Sequence, residues 1–481
     1  MKRRALIAAA ACVGGAAASL LIPSAPTTDP WGWIVWGREV AHLQLSTAIG
    51  GAPSWKPLPV LFTTPFSVFG GAAPDLWLLV ARAGGLIGLV AAYRLASRLG
   101  GRAAGVLAAV GLVISAHWIR TFLHGYAEPF AIAMLLLAVD RHLSARPRQA
   151  MLLLVGVSLV RPEAFALALI YGLLGWRRRQ IPLWVLGVAA VAVPALWLGP
   201  DWIGSGDPFH GRKVADAIEP QGVHPALVAL SQGAGVTPAP LSLAAIAGLV
   251  IAYRAGDRQV VQLSVVAIGI AALMLGLMLA GYPSEQRFYV LPQALICVLG
   301  AVGAVRVVEL VGSRPARVGA AAVMALAALP VIAFRTVATA DETRDSVRRA
   351  RVESSLETAI ARAGPARLRD CGVPILPRGL GWMRGNVAWQ LHLSPRRVRS
   401  VPTSGGAYLE ALSSDGVGDI PPEVTIHTHR RHMVLLVPFG RSRVQLVSTP
   451  AEFDTATRAG DWQLLVPNSP ACTGRRATRA A

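Results

Sequence analysis

Long apolar runs, separated by short polar turns, fill the chain up to about residue 338. Several of these runs approach the roughly 20 residues that an α-helix needs to cross a lipid bilayer. Beyond residue 338 the long runs stop, and apolar and polar residues alternate in shorter stretches. The pattern predicts a polytopic α-helical membrane module over residues 1–338 and a small soluble domain over residues 339–481.

Arginine clusters lie in the turns between the apolar runs and set the predicted topology. The clusters are Arg94, Arg98 and Arg102; Arg141, Arg146 and Arg148; Arg177, Arg178 and Arg179; Arg254 and Arg258; and Arg306, Arg314 and Arg317. Arginine-rich turns face the cytoplasm, so an even number of crossings separates each cluster from the next. The first run, "MKRRALIAAAACVGGAAASLLIP", is interpreted as an uncleaved helix, with a cleaved signal peptide as the alternative. The count is about eleven crossings, with the C-terminus outside.

The interval from residue 149 to residue 176 is too long for one comfortable span and carries Arg161, Pro162 and Glu163 at its middle. Two short helices with these three residues at an outer turn would satisfy the topology. The alternative is a single helix kinked at Pro162, which would bury a charged pair at the centre of the bilayer at a high energetic cost. We favour the hairpin.

The segment after residue 338 is predicted to be an extracytoplasmic α+β domain. It opens with a charged helix, Asp341 to Arg362, and later alternates like strands in "EVTIHTHRRHMVLLVPF" and "SRVQLVS". Cys371 and Cys472 lie in this segment and would form a disulfide if it faces an oxidising compartment.

Composition supports the membrane assignment and excludes one obvious partner. The chain is 54% hydrophobic and 15% charged, with a mean hydropathy of +0.51. Its formal net charge of +20 would suggest nucleic acid in a soluble protein. Here the arginines follow the positive-inside pattern, so nucleic acid is not an expected partner. No phosphate-binding glycine loop follows a strand, so soluble nucleotide chemistry is unsupported.

Unusual polar residues collect in the segments predicted to be outside. Asp29 follows the first apolar run, and Lys56 lies in "SWKPLPVLFTTPF". The other segments are "HWIRTFLHGYAEPF" with Arg120, His124 and Glu128; the Arg161–Glu163 turn; "DWIGSGDPFHGRK" with Asp201 and Asp207; and "GYPSEQRFYVLPQ" with Arg287. Candidate chemistry therefore lies at one face of the membrane.

The helix after Asp29 is predicted to lie flat on the outer leaflet. One face would carry Trp33, Trp36, Val40 and Leu43, and the other Arg38, Glu39 and His42. Because tryptophan prefers the membrane interface, this helix would hold Asp29 at the depth of the lipid headgroups.

In their order, these segments resemble the GT-C class of integral-membrane glycosyltransferases over roughly residues 5–340. Within that class the likeness is to polyprenyl-phosphate-mannose protein mannosyltransferases and the lipid A aminoarabinose transferase. The matching features are Asp29 after the first helix, the flat interfacial helix that follows it, the "KPLP" segment, "GYAEPF", "RPE" and "RFYVLPQ". Two departures are that Pro30 replaces a second acid and that "KPLP" lacks one of the paired prolines.

The resemblance implies a sugar donor on a polyprenyl phosphate and an envelope glycan, lipid or protein as acceptor. It implies that Asp29 is the catalytic base and that Glu128 is a second catalytic carboxylate. Arg287 would bind the lipid phosphate, with Lys56 as a weaker candidate. Arg120, His124, Arg161 and Glu163 complete the candidate substrate-binding set. No cofactor is implied with certainty, and a divalent cation is left open.

Structural interpretations stand beside these roles. Asp29 would be only an N-cap, with Pro30 opening the helix. Glu128 would cap its helix or pair with Arg120, and Arg161 with Glu163 would be an ion pair that fixes the turn. The remaining alternatives are that Arg287, beside Glu285, snorkels to the interface, that Asp201 and Asp207 belong to a turn, and that His427, His429 and His432 form a solvated strand face rather than a metal site.

Two other function classes are compatible with parts of the sequence. A transporter of lipid-linked material would place polar residues at the bilayer midplane and show internal repeats, neither of which the sequence displays. An inactive scaffold is compatible with the single acid at Asp29. The Ala- and Arg-rich composition is typical of a high-GC bacterium, by our interpretation an actinobacterium, in which mannose or arabinose would be the sugar.

Overall fold

The computed structural model describes residues 2–49, 53–216, 225–282, 286–376, 381–400, 423–426, 433–438, 443–446, 453–459, 462–467 and 472. The helices are α1 (Lys2–Ser19), α2 (Thr28–Ala41), α3 (Pro57–Phe66), α4 (Ala73–Val113), α5 (Trp118–Leu123), α6 (Glu128–Leu143), α7 (Pro147–Ser158), α8 (Ala164–Arg177), α9 (Leu183–Ser205), α10 (His210–Asp216), α11 (Pro225–Ala234), α12 (Ala239–Arg254), α13 (Arg258–Leu279), α14 (Val290–Glu309), α15 (Arg314–Ala363), α16 (Pro365–Cys371) and α17 (Arg384–Gln390). The strands are β1 (Val373–Leu376), β2 (Arg399–Ser400), β3 (Glu423–Ile426), β4 (Met433–Pro438), β5 (Arg443–Leu446), β6 (Phe453–Ala459) and β7 (Trp462–Pro467).

The first two thirds of the chain form a bundle of apolar helices. Five helical segments are long and apolar enough to cross a membrane, and three shorter apolar helices accompany them, among the described residues. Helix α4 contains a break at Gly100 and Gly101, where the backbone leaves the helical region. The break lies within the first predicted arginine turn. The count of eleven crossings stays a prediction.

The predicted hairpin around Arg161 is confirmed. Helices α7 and α8 pack against each other and are joined by residues 159–163, so Pro162 lies in the turn rather than inside a helix. A charged pair inside one long helix is thereby avoided.

Helix α14 forms the centre of the bundle, where it packs against α12, α4 and α13. Glycines allow the closest of these contacts. A Cβ added to Gly303 would lie 1.9 Å from the carbonyl oxygen of Ala244, and one added to Gly300 would lie 2.2 Å from that of Leu241. Small residues at such positions let helix backbones approach closely. This packing fixes the start of α14, which closely follows Arg287.

The predicted arginine clusters collect at one end of the bundle. Arg94 and Arg98 lie 3.6 and 3.9 Å from the carboxylate of Asp140, which also pairs with Arg141 at 2.6 Å. Arg306 pairs with Asp257 and reaches the carbonyl of Leu99. Since α6 has Glu128 at one end and Arg141 at the other, the arginine clusters and the acids of the predicted outer face lie at opposite ends.

Helix α15 joins the bundle to the C-terminal segment without interruption. It spans 50 residues, so the predicted boundary at residue 338 falls inside one continuous helix. Its first half is apolar and its second half carries the charged stretch predicted as Asp341 to Arg362. The division into two domains stays a prediction.

The C-terminal segment contains the predicted strands. The larger sheet has the order β2-β1-β4-β7-β6, with parallel pairing of β1 to β2 and β4 and antiparallel pairing of β7 to β4 and β6; β3 and β5 form a separate parallel pair. Cys371 and Cys472 form the disulfide that the sequence left open.

Candidate functional site

Helix α2 carries Asp29 into the protein interior. The helix begins at Thr28 and Thr27 is its N-cap residue, so Asp29 lies in the first turn and is not the cap. The N-cap interpretation of Asp29 is therefore wrong. The Asp29 side chain is buried, which is costly for a carboxylate unless a cation accompanies it.

The predicted lipid-facing surface of this helix is wrong. Trp33 and Trp36 are each 0% exposed, because α2 packs against α3, α4 and α17 rather than against lipid. Leu43 lies beyond the end of α2 and is exposed. Arg38 was predicted on the polar, outward face, but its guanidinium donates to the carbonyls of Trp389 and Leu393 near the end of α17. The tryptophans hold α2 inside the protein.

Arg287 meets Asp29 across the bundle. Arg287 lies in a short 3₁₀ helix, Gln286–Tyr289, directly before α14, and its Nη1 is 2.5 Å from Oδ2 of Asp29. The Arg287 guanidinium also lies over the rings of Tyr126 and Phe288. Asp29 and Arg287 are 258 positions apart in the chain. The pair joins the predicted base directly to the predicted phosphate ligand.

A second, deeper cluster connects three other candidates. Lys56 Nζ lies 3.0 Å from Oε1 of Glu128, and Arg161 Nη1 lies 3.5 Å from the same oxygen. Arg161 also donates through Nε to Glu163 at 2.6 Å. The Arg161–Glu163 ion pair at the turn is thus confirmed. Glu128 pairs with Lys56 and Arg161 instead of the predicted Arg120.

Burial removes water from the charged groups of this cluster and so destabilises their charges. Desolvation lowers the pKa of Lys56 from its ordinary value, although the nearby Glu128 carboxylate acts in the opposite direction. Among the described residues, Oε2 of Glu128 and Nη2 of Arg161 have no hydrogen-bond partner. Buried groups in this state favour a ligand that supplies both a donor and an anionic acceptor.

A cavity of about 210 Å³ is lined by Asp29 and Arg287 of the first pair and by Lys56 and Arg161 of the second cluster. Its charged lining comprises four cations and two carboxylates: Lys56, Arg161, Arg212, Arg287, Asp29 and Asp201. Apolar walls come from Trp55, Val160, Trp197, Leu198, Phe209 and Phe288. An excess of cations beside an apolar wall suits an anionic headgroup attached to a hydrocarbon chain.

Four predicted site residues lie outside the cavity lining. They are Arg120, His124, Glu128 and Glu163. His124 Nδ1 donates to the carbonyl of Ala25, and its Nε2 lies 3.0 Å from Oγ of Ser346 on α15. Burial lowers the pKa of His124 to about 3. Arg120 lies beside Glu342, also on α15. The structure gives both residues contacts to α15, and their predicted substrate-binding role stays a prediction.

Three cavity residues were not selected from the sequence as site residues. Arg212 and Tyr282 line the cavity, and Asp201, first interpreted as part of a turn, lies there with one carboxylate oxygen accepting from Gly211 N at 2.9 Å. Their segments had been recognised as outer, but no spacing connected them to Asp29. The Asp207 turn is confirmed by its contact with Ser205 and the positive φ of Gly206.

Arg82 and three histidines near residue 430 are further polar features of the sequence that lie away from this cavity. Arg82, which lies inside an apolar run of the sequence, donates to Ser19, Ser24 and Leu123. Within the described ranges, no group of three His, Cys, Asp or Glu residues has metal-binding geometry. His427, His429 and His432 lie outside the described residues, as does Glu285.

Comparison with known proteins assigns the fold. No protein-family model and no curated protein sequence matches the chain. Among solved structures, ArnT from Cupriavidus metallidurans bound to undecaprenyl phosphate is similar, with a TM-score of 0.51 and 13% identity over 97% of this chain and 98% of ArnT. The apo state of ArnT gives 0.52 and 12% identity over 96% and 98%. The chain has the same fold as ArnT, and this is the GT-C fold that the sequence resemblance predicted.

Proposed function

We propose that this protein is a GT-C glycosyltransferase that takes a sugar from a polyprenyl-phosphate donor. The acceptor would be a hydroxyl of a cell-envelope glycan, lipid or protein on the outer face of the cytoplasmic membrane. The observation that carries the proposal is the cavity in which a buried carboxylate, Asp29, lies among four cations. ArnT, of the same fold, binds undecaprenyl phosphate, which is a lipid of the proposed donor class.

The cavity provides the two functions that this chemistry needs. A base must take the proton of the acceptor hydroxyl, and such assistance contributes roughly 10²–10⁴-fold to rate. Cations must stabilise the charge that develops on the departing lipid phosphate. In the proposal Asp29 is the base, and Arg287 and Lys56 hold the phosphate. Glu128, which pairs with Lys56 outside the cavity lining, is the second carboxylate.

The Asp29–Arg287 contact suggests how the base becomes available. The Arg287 guanidinium occupies Oδ2 of Asp29, one of the two oxygens that could receive the acceptor proton. A phosphate in the cavity would compete for Arg287 and release this oxygen, because guanidinium groups bind phosphate in the same way as carboxylate. The donor would then have to bind before proton transfer, so the base would act only when a sugar is ready for transfer.

The positions of the buried charges bear on the transporter alternative. The candidate residues meet at one end of α6, opposite the arginine clusters, whereas a transporter is expected to bind its cargo near the midplane. No observation favours transport over transfer. The mannose or arabinose donor and the outward orientation of the cavity belong to the proposal.

The test is to replace Asp29 by Asn and to measure sugar transfer from radiolabelled polyprenyl-phosphate mannose and arabinose in membranes. The amide keeps the size of the side chain but cannot accept the proton, so turnover should fall at least about 100-fold. Binding of the lipid donor should persist, because the cations remain.

Asp341→Asn is the matched control. Asp341 is an exposed acid on α15, away from the cavity lining, and its carboxylate lies 2.8 Å from the guanidinium of the neighbouring Arg344. Its variant should retain wild-type turnover. Unchanged turnover in a folded Asp29→Asn protein would exclude Asp29 as the base, and an inactive wild type with every donor would favour the scaffold alternative.

A further inference from the structure

A second and larger cavity lies on the other side of α2. Its volume is about 670 Å³, within the range of small-molecule binding sites. It is bounded by the loop before α2, the start of α4, the second half of α15 and the end of α17. Trp31 lines this cavity, whereas Asp29, two residues earlier on the same helix, lines the first one. Helix α2 therefore separates two cavities.

One buried side chain in this cavity has an unused hydrogen-bonding atom. Glu353 is 2% exposed, and its Oε2 accepts from Trp31 Nε1 at 2.9 Å and from Asn386 Nδ2 at 2.7 Å. Its Oε1 has no hydrogen-bond partner among the residues that the structure describes. A buried carboxylate oxygen without a donor is unfavourable, so the arrangement calls for a ligand that donates a hydrogen bond.

The rest of the lining indicates the chemistry of that ligand. Ser24, Ser354, Thr358 and Gln390 bring hydroxyl and amide groups to the lining. The hydroxyls of Ser24 and Thr358 already donate to the carbonyls of Ile22 and Ser354, so toward a ligand they can only accept. Apolar surface comes from Pro23, Pro26, Pro74, Trp31 and Leu78. Acids and arginines are both present, so the lining does not favour a ligand of either net charge. Hydroxyl groups that alternate with C–H faces are the surface of a sugar, and a polyhydroxylated ligand satisfies all parts of this lining.

We propose that this cavity binds a neutral oligosaccharide, a segment of the acceptor glycan remote from the hydroxyl that receives the new sugar. Glu353 accepts from a sugar hydroxyl, and Trp31 connects the occupied cavity to the helix that carries Asp29. The assignment to an acceptor rests on the proposed function, whereas carbohydrate binding at this place does not.

Binding is measured with the purified full chain in lipid nanodiscs on an array of neutral hexose and pentose tetrasaccharides. Uronic-acid tetrasaccharides and tetrapeptides are the comparison probes. In Glu353→Gln the amide oxygen retains the bonds from Trp31 and Asn386, while a donor replaces the free acceptor. Affinity for the neutral tetrasaccharide should therefore fall about tenfold or more.

A second variant does not disturb these buried contacts. Ser354 lines the cavity and is exposed, so Ser354→Trp fills the space without removing a bond of Glu353, and it should abolish binding. Asp341→Asn, on the same helix but outside the cavity, should bind like the wild type. Thermal unfolding of each variant checks that it is folded.

The outcomes separate the two proposals. Neutral-sugar binding that both cavity variants weaken, with no lipid-dependent transfer in the wild type, would support the cavity assignment and reject the proposed function. Transfer that depends on Asp29, together with no binding to any neutral tetrasaccharide, would reject the cavity assignment alone. Preference for tetrapeptides, or equal affinity in folded Ser354→Trp protein, would also overturn it.

Discussion

The two ends of the helix bundle carry the same kinds of charge in opposite environments. At the arginine-rich end, the side chains of Arg94 and Arg98 are 46% and 36% exposed where they approach Asp140. At the other end, the side chains of Arg161 and Glu163 are each 2% exposed, and Glu128 is fully buried. Water stabilises the charge of an exposed arginine, whereas a buried charge is stable only when it is paired with an opposite charge.

This difference in burial indicates that the two sets of arginines have different roles in the protein. The exposed set fits the predicted positive-inside pattern, which requires positive charge at one end of the helices but no particular pairing geometry. The buried arginines are stable only if their carboxylate partners lie within ion-pair distance. Several desolvated charges at one place are typical of functional sites, which is why the buried end is the candidate site.

The largest effect is expected when the buried end loses a cation. Arg161→Met leaves Glu163 without its partner and Glu128 with only Lys56, so the free energy of unfolding should fall by about 3–5 kcal/mol. Thermal or denaturant unfolding of the purified protein in detergent measures this loss. The double variant Arg161→Met with Glu163→Gln should recover part of the stability, since no unpaired carboxylate then remains at the turn. A double variant no more stable than the single one would show that the pair is not coupled.

A smaller effect is expected from pH at His124, which joins the bundle to α15. Its pKa in the folded protein is about 3, against an ordinary value of 6.5. The unfolded chain therefore binds the proton more readily between these values. The stabilisation is complete above about pH 6.5 and decreases as the pH falls, by about 2 kcal/mol between pH 7 and pH 5.

The measurement is unfolding of the wild type and of His124→Gln over this pH range. The glutamine side chain does not titrate, so the stability of this variant should change less between pH 7 and pH 5. Parallel pH profiles for the two proteins would contradict the assignment of the slope to His124. Unlike Arg161, His124 is tolerated at the buried end because it is neutral.

The smallest effect is expected at the exposed end. Arg98→Gln removes an ion pair with Asp140 that is screened by solvent, so the free energy of unfolding should change by about 1 kcal/mol or less. The same unfolding assay as for Arg161→Met provides a direct comparison. A loss as large as that of Arg161→Met would remove the distinction between the two ends.

Local patterns predicted a large part of this structure. The hairpin around Pro162 followed from helix length and the cost of buried charge, and the strands of the C-terminal segment followed from alternation. The segments that contribute Asp29, Lys56, Glu128 and Arg287 were also recognised, because each is a polar interruption beside an apolar run. These are properties of neighbouring residues, which a sequence displays directly.

Partners and burial could not be predicted in the same way. The tryptophans of α2 were expected to face lipid, yet α3, α4 and α17 cover them, because an apolar face does not specify whether protein or lipid packs against it. Glu128 was paired with Arg120 by proximity in sequence, and the fold gives it Lys56 and Arg161 instead.

The sequence by itself determined which segments are apolar and which end of the bundle carries each set of charges, since these depend on residues a few positions apart. Only the tertiary structure decided that Asp29 meets Arg287 from 258 positions away and that one buried oxygen of Glu353 has no hydrogen-bond partner among the described residues. The physical reason is that burial and hydrogen-bond satisfaction depend on which distant surfaces come together, and many such arrangements are compatible with one local pattern.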